Sequence, residues 1–157
     1  MNPNLILKAL LEAELISTSE IIHLLAQNDI ELAQDDVVNI LRGPYEPKYS
    51  IFPDYVLLIL LDEWILAKRG PRDGQEKSLP QKTAKVTLNE VLKKLRIVFN
   101  LQEQDVRAAL KLATIELTKS DLAALFRKAN HPLYKECDAE LFQNFIEGLG
   151  LFIKARQ

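Results

Sequence analysis

One pattern occurs twice in this chain, and a repeated unit restricts the available folds more than any other feature of it. Residues 29–49 read DIELAQDDVVNILRGPYEPKY, and residues 114–134 read TIELTKSDLAALFRKANHPLY. In both, Ile-Glu-Leu precedes a polar helix start, an apolar helix ending in a basic residue, then a Pro and a Tyr. The match runs through both halves without a gap at a constant spacing of 85 residues. Asn4 pairs with Asn89, Leu10 with Leu95, Leu25 with Leu110, Asp36 with Asp121, Arg42 with Arg127 and Tyr49 with Tyr134. A gapless match that keeps loop residues as well as apolar positions indicates duplication of one supersecondary unit.

Apolar spacing of three and four residues predicts four helices in each copy. In the first copy they fall at about 4–15, 18–28, 34–42 and 54–68, with Asn4 as the cap of the first. Ser17-Thr18-Ser19 breaks and recaps the chain, and Glu20 places a favourable negative charge near the new N-terminus. The run from Val56 to Leu61 taken alone could be a buried strand. Its counterpart from Leu141 to Ile146 has helical spacing, and that decides for helix. The second copy is the cleaner one. Thr87 with Glu90 and Thr118 with Asp121 form cap signatures, and Asp138 caps the last helix. Between the third and fourth helices of the first copy lies a loop fixed by Pro44, Pro47 and Pro53, with Tyr45, Tyr49 and Phe52 as its expected anchors.

Residues 70–86 are polar, hold two Gly and two Pro and lack periodicity, so they read as a flexible linker. The expected organisation is a first helical repeat over 1–69, this linker, and a second repeat over 87–157. A chain of 157 residues suffices for one ordinary domain or two small ones, whereas half of it alone would be marginal. The expected fold is therefore all-α, with two tandem four-helix repeats, about eight helices in all, packed together about a pseudo-twofold axis.

Charge narrows the function classes. Overall the chain carries a formal net charge of −2, which gives no global attraction to nucleic acid or anionic membranes. Residues 1–70 carry five Lys/Arg against eleven Asp/Glu, and residues 71–157 carry fifteen against eleven. An acidic half and a basic half could attract each other, or the second half could offer a basic face to an acidic partner. The longest apolar run, Tyr55 to Leu61, is far short of a membrane span, and the N-terminus lacks the basic start of a secretory signal. Cytoplasmic localisation with no membrane association is the expectation.

The second copy also resembles a known family. Its Glu90 to Leu101 (EVLKKLRIVFNL), Leu122 to Lys128 (LAALFRK), Tyr134 to Asp138 (YKECD) and Phe145 to Leu149 (FIEGL) resemble the small two-repeat bacterial proteins typified by YehS. The resemblance covers essentially the whole chain and is looser in the first copy. There Phe52 stands at the Cys position and Glu63 at the Gly position, although Lys68-Arg69-Gly70 fits the family's ending. It implies a cytoplasmic all-helical protein built from a duplicated domain of unknown function, with no reaction, cofactor or catalytic residue to carry over.

Three constellations bear on activity. His131, Cys137 and Asp138 are close in sequence, but two His and one Cys in the whole chain fall short of a structural zinc site. Cys137 reads as a small buried apolar residue ahead of a helix cap. A deep pocket lined by His131 and Cys137 would argue for an enzyme. The helix pair from Gln104 to Lys128 resembles a DNA-reading unit, with Lys93, Lys94, Arg96, Lys111, Lys119, Arg127 and Lys128 as candidate phosphate contacts. Its turn is longer than usual and lacks Gly, and the first copy begins the matching helix with Asp35-Asp36. Finally, the apolar residues from Leu57 to Leu66 wrap most of a helix. That suits either a central helix buried between the repeats or a partner surface formed by Leu57, Leu61, Trp64 and Ile65. The leading expectation is a non-enzymatic binding or adaptor protein without cofactor or metal. It would act through an unknown protein partner or as a homodimer. The alternative is a helix-turn-helix-like nucleic-acid-binding regulatory protein.

Overall fold

A computed structural model describes residues 1–74 and 78–157. Eight helices and no strand occur among the described residues. They are α1 (Pro3–Glu12), α2 (Thr18–Ala26), α3 (Gln34–Ile40), α4 (Asp54–Arg69), α5 (Leu88–Val98), α6 (Glu103–Leu112), α7 (Lys119–Leu125) and α8 (Ala139–Arg156). The chain divides into two compact units, Met1–Val86 and Thr87–Gln157, each holding four helices. Residues 70–74 and 78–86 thus group with the first unit, and the Val86 N–H donates to the Asp54 carboxylate at 2.9 Å. The linker expected over 70–86 includes residues 75–77, which lie outside the described residues.

The duplicated apolar pattern is buried position by position. Leu7 and Leu92, Leu10 and Leu95, Leu25 and Leu110, Ile40 and Leu125, and Leu60 and Phe145 are all buried. The pairings repeat too. The second helix packs on the fourth, as α2 on α4 and α6 on α8, and the first helix also touches the fourth in each unit. Val56 to Leu61 is helical as the comparison between copies requires, and all six of these residues are buried.

Local chemistry sets the helix ends. Ser17 accepts the Glu20 N–H while the Glu20 carboxylate accepts the Ser17 N–H, a reciprocal cap. Thr87, Thr118 and Asp138 accept the N–H groups of Glu90, Asp121 and Leu141. At the start of α1 the cap is Asn2, whose Oδ1 accepts the Leu5 N–H at 2.9 Å. Asn4, the expected cap, lies inside the helix, because Pro3 is well suited to the first helical turn and moves the start two residues earlier.

Helix α7 ends at Leu125, three residues short of the expected Lys128. The carbonyls that a longer helix would use are taken by the returning loop. The Lys135 N–H donates to Ala124 O at 3.1 Å, and in the first unit the Ser50 N–H donates to Asn39 O at 3.1 Å. No helix among the described residues is long and apolar enough to cross a membrane.

Candidate functional site

The most heavily bonded buried polar side chain in each unit is an Asn on the first helix. Asn4 Nδ2 donates to Ile40 O at 2.9 Å and to Ser50 O at 2.8 Å, and its Oδ1 accepts the Phe52 N–H at 3.0 Å. Asn89 Nδ2 donates to Leu125 O at 2.9 Å and to Lys135 O at 2.8 Å, and its Oδ1 accepts the Cys137 N–H at 2.8 Å. The carboxamide offers two donors and an acceptor, and all are engaged. One side chain thus joins the first helix, the end of the third and the loop before the fourth. The signal for this role was present in the sequence, as identical Asn residues at matching positions of both copies beside apolar neighbours.

These clamps fix loops that differ in what they present. In the first unit Phe52 is buried, but Tyr45 is 99% exposed and Ile51 is 74% exposed. Tyr45 is therefore not the anchor expected of it. It sits in the turn after Gly43, whose N–H is held by the Glu46 carboxylate, and that turn points its tip away from the helices. In the second unit Leu133 is 62% exposed, while Asn130 and Glu136 stand where the first has Tyr45 and Ile51.

The seven basic residues expected to contact phosphate fall into two groups. Lys111, Lys119 and Lys128 are exposed. Lys93, Lys94, Arg96 and Arg127 are half-buried. Lys93 Nζ lies 3.4 Å from Arg127 O, and Arg96 Nε donates to Leu101 O at 3.0 Å with its guanidinium 4.9 Å above the Phe126 ring. Arg127 Nη1 lies 3.2 Å from His131 Nε2. A groove of about 380 Å³, open to solvent, runs along the α6–α7 turn. Arg107, Lys111, Ile115, Glu116 and Thr118 line it. Sequence reasoning passed over Arg107, which stands one helical turn before Lys111.

The expected partner surface lies inside the chain. Leu57 and Leu61 are fully buried, Trp64 is 1% exposed, and Ile65 is half-buried. A helix apolar around most of its circumference gains most when every face is covered, and α4 is buried from Val56 to Leu61 and again at Glu63 and Trp64.

Cys137 and His131 make separate contacts. The Cys137 thiol is buried and donates to Asp138 O at 3.4 Å. Burial, with a smaller contribution from the Asp138 carboxylate, pushes it up to about 11. A thiol held protonated at neutral pH is a poor nucleophile. His131 is exposed, and its Nδ1 accepts the Leu133 N–H at 3.0 Å. Among the described residues no group of three or more His, Cys, Asp and Glu is arranged to hold a metal ion.

Two copies of one four-helix unit, each locked by a buried Asn, define a tandem-repeat helical protein. The chain belongs to the family described as protein of unknown function (DUF1456), whose model matches residues 3–70 and 89–156, once on each repeat. It is similar to the uncharacterized protein YehS of Escherichia coli (strain K12), with 28% identity over 133 residues, 85% of this chain and 84% of that protein. No solved structure matches the chain.

Proposed function

We propose that this is a non-enzymatic binding or adaptor protein that acts in the cytoplasm by contact with another protein, through the clamped loop of its first unit. The observation that carries this reading is Ile51. Its two neighbours, Ser50 and Phe52, are both bonded to the buried Asn4, yet its own side chain is 74% exposed. Tyr45, 99% exposed, projects from the same loop. A fixed loop carrying apolar side chains outward has little conformational entropy left to lose on binding, which is what recognition loops on rigid scaffolds exploit.

Site-specific photo-crosslinking in the producing cell tests the proposal. A photoreactive residue at Tyr45 or Ile51 is expected to trap one discrete protein, and the same residue at exposed Gln104 is not. A trapped second copy of the chain would make the partner a homodimer. Equal labelling at all three positions would remove the loop from consideration.

A nucleic-acid reading draws on a different observation, the exposed Lys111, Lys119 and Lys128, together with a groove that Lys111 and Arg107 line. Anisotropy titration with random duplex DNA and single-stranded RNA at two salt concentrations separates the two. Binding that weakens steeply with salt, and is lost when all three Lys become Ala, supports this second reading.

A further inference from the structure

The end of the third helix carries an Arg in both units, and the two are treated differently. In the first unit Arg42 Nε donates to Asn39 Oδ1 at 3.0 Å. In the second unit the matching residues are Arg127 and Ala124, and the acceptor is gone. Arg127 Nε is buried and has no hydrogen-bond partner. A second acceptor is lost nearby. Glu46, whose carboxylate holds the Gly43 N–H, is matched by His131.

His131 makes the imbalance larger. Its Nδ1 accepts the Leu133 N–H at 3.0 Å, so the proton of the neutral ring sits on Nε2. That nitrogen lies 3.2 Å from Arg127 Nη1, which can only donate. Two donors therefore face each other with no acceptor between them. The carbonyls at this helix end do not supply one. Ala124 O is taken by the Lys135 N–H, Leu125 O by Asn89, and Arg127 O faces Lys93 Nζ. Exposed Lys128 adds a further positive charge beside Arg127.

We propose that Arg127 and His131 at the end of α7 form an oxyanion site that takes a phosphoryl group. A phosphoryl oxygen placed at the Nη1–Nε2 edge accepts from both residues at once. The guanidinium can then turn to present Nε and Nη as a fork, the arrangement in which Arg binds phosphate most strongly. Lys128 meets a remaining oxygen from the solvent side. The site lies in the second unit and is independent of the protein contact proposed for the loop of the first.

The full chain, with its His131 side-chain nitrogens and Leu133 amide observed by NMR, is titrated with inorganic phosphate and with chloride at equal ionic strength. Phosphate is expected to shift these signals saturably, and chloride is not. Arg127→Gln is expected to weaken binding about tenfold, as the loss of a charge-assisted hydrogen bond does. Arg42→Gln in the first unit is expected to leave it unchanged. Ala124→Asn restores the acceptor that the first unit has, keeps Arg127 and His131 in place, and is also expected to weaken binding. It therefore tests the site even if Arg127→Gln disturbs folding. Duplex DNA that binds more tightly than free phosphate would identify a nucleic-acid backbone as the source, and the reverse order a small phosphorylated ligand. A shift that is linear, or the same in chloride, overturns the proposal. So does phosphate binding by Ala124→Asn equal to that of the parent.

Discussion

The two repeats agree at the Asn clamp and disagree one layer away, where the second helix meets the fourth. In the second unit α6 and α8 touch through Gly148, where a Cβ atom would overlap the carbonyl of Ala109 and crowd the Ala113 side chain. In the first unit Glu63 stands in place of Gly148 and Asn28 in place of Ala113. There Asn28 Nδ2 donates to Glu63 Oε1 at 2.7 Å, and Glu63 is only 4% exposed. One contact is closed by removing side chains and the other by filling the gap with a hydrogen-bonded pair. The difference shows what the duplicated fold requires. It requires the clamp that ties three segments together. It does not require a given separation of the helices, so long as whatever lies between them packs and is bonded.

The clamp is where substitution should cost most. Asn89→Ala removes three hydrogen bonds and strands buried backbone groups, for an expected loss of about 4 kcal/mol. Asn4→Ala should cost the same within error, because its three partners are the matching ones. Urea unfolding followed by circular dichroism measures both. Trp64, the chain's single tryptophan, adds a fluorescence signal that reports the first unit. A markedly smaller loss for one Asn would show that the two clamps are not equivalent.

The helix contact comes next and should separate the repeats. Gly148→Ala forces α6 and α8 apart, and we expect a loss of about 3 kcal/mol despite the better helix propensity of Ala. Glu63→Ala should cost about 2 kcal/mol through the lost hydrogen bond and packing, with no overlap. A crystal structure or helix–helix distance measurement would show α8 displaced in the first variant and α4 in place in the second.

Much of this was legible in the sequence because the chain supplies its own alignment. The copy at 141–146 resolved the strand-or-helix ambiguity at 56–61, and the eight helices, the cap at Ser17 and the caps at Thr87, Thr118 and Asp138 follow from local patterns. What escaped local patterns depended on distant partners. Asn4 near a helix start looks like a cap, and only contacts 36 and 46 residues away give it a different role. The same holds for α7, whose length is set by a loop that returns from Lys135. Tyr45 and Trp64 exchanged expectations for a related reason. Aromatic residues serve equally as anchors and as contacts, and burial depends on packing that a short window does not contain.

A titrating group distinguishes the repeats as well. Cys137 is matched by Phe52, which has no proton to lose. The folded thiol keeps its proton to about 11, against 9.0 for a free one. Its contribution is therefore complete below pH 9.0 and is lost as pH rises toward 11, because only the unfolded thiol ionises in that window. The stability of the parent relative to Cys137→Ala should fall by about 2 kcal/mol over that interval. Urea melts of both proteins at pH 8 and pH 11 measure it. A constant difference would mean that the folded thiol ionises normally.

The smallest expected effect lies at the ends of α2 and α6. Both helices stop with a left-handed residue, Asp29 at φ 59° and Thr114 at φ 62°. Both are followed by the same hydrogen bond, from Ile30 N–H to Leu25 O and from Ile115 N–H to Leu110 O. The geometry is duplicated, but the residue chemistry is not. Asp tolerates this region through its short polar side chain, whereas a β-branched Thr is strained there. Gly adopts it freely and loses more backbone entropy on folding, so the net change is the difference of the two terms. For Thr114→Gly relief of strain should win, with a gain of about 0.5–1 kcal/mol. For Asp29→Gly the terms should nearly cancel. Equal responses would show that the Thr114 Oγ1 bond to Ala113 O, at 2.6 Å, already offsets the strain. The two repeats would then have reached the same turn at the same energy by different side chains.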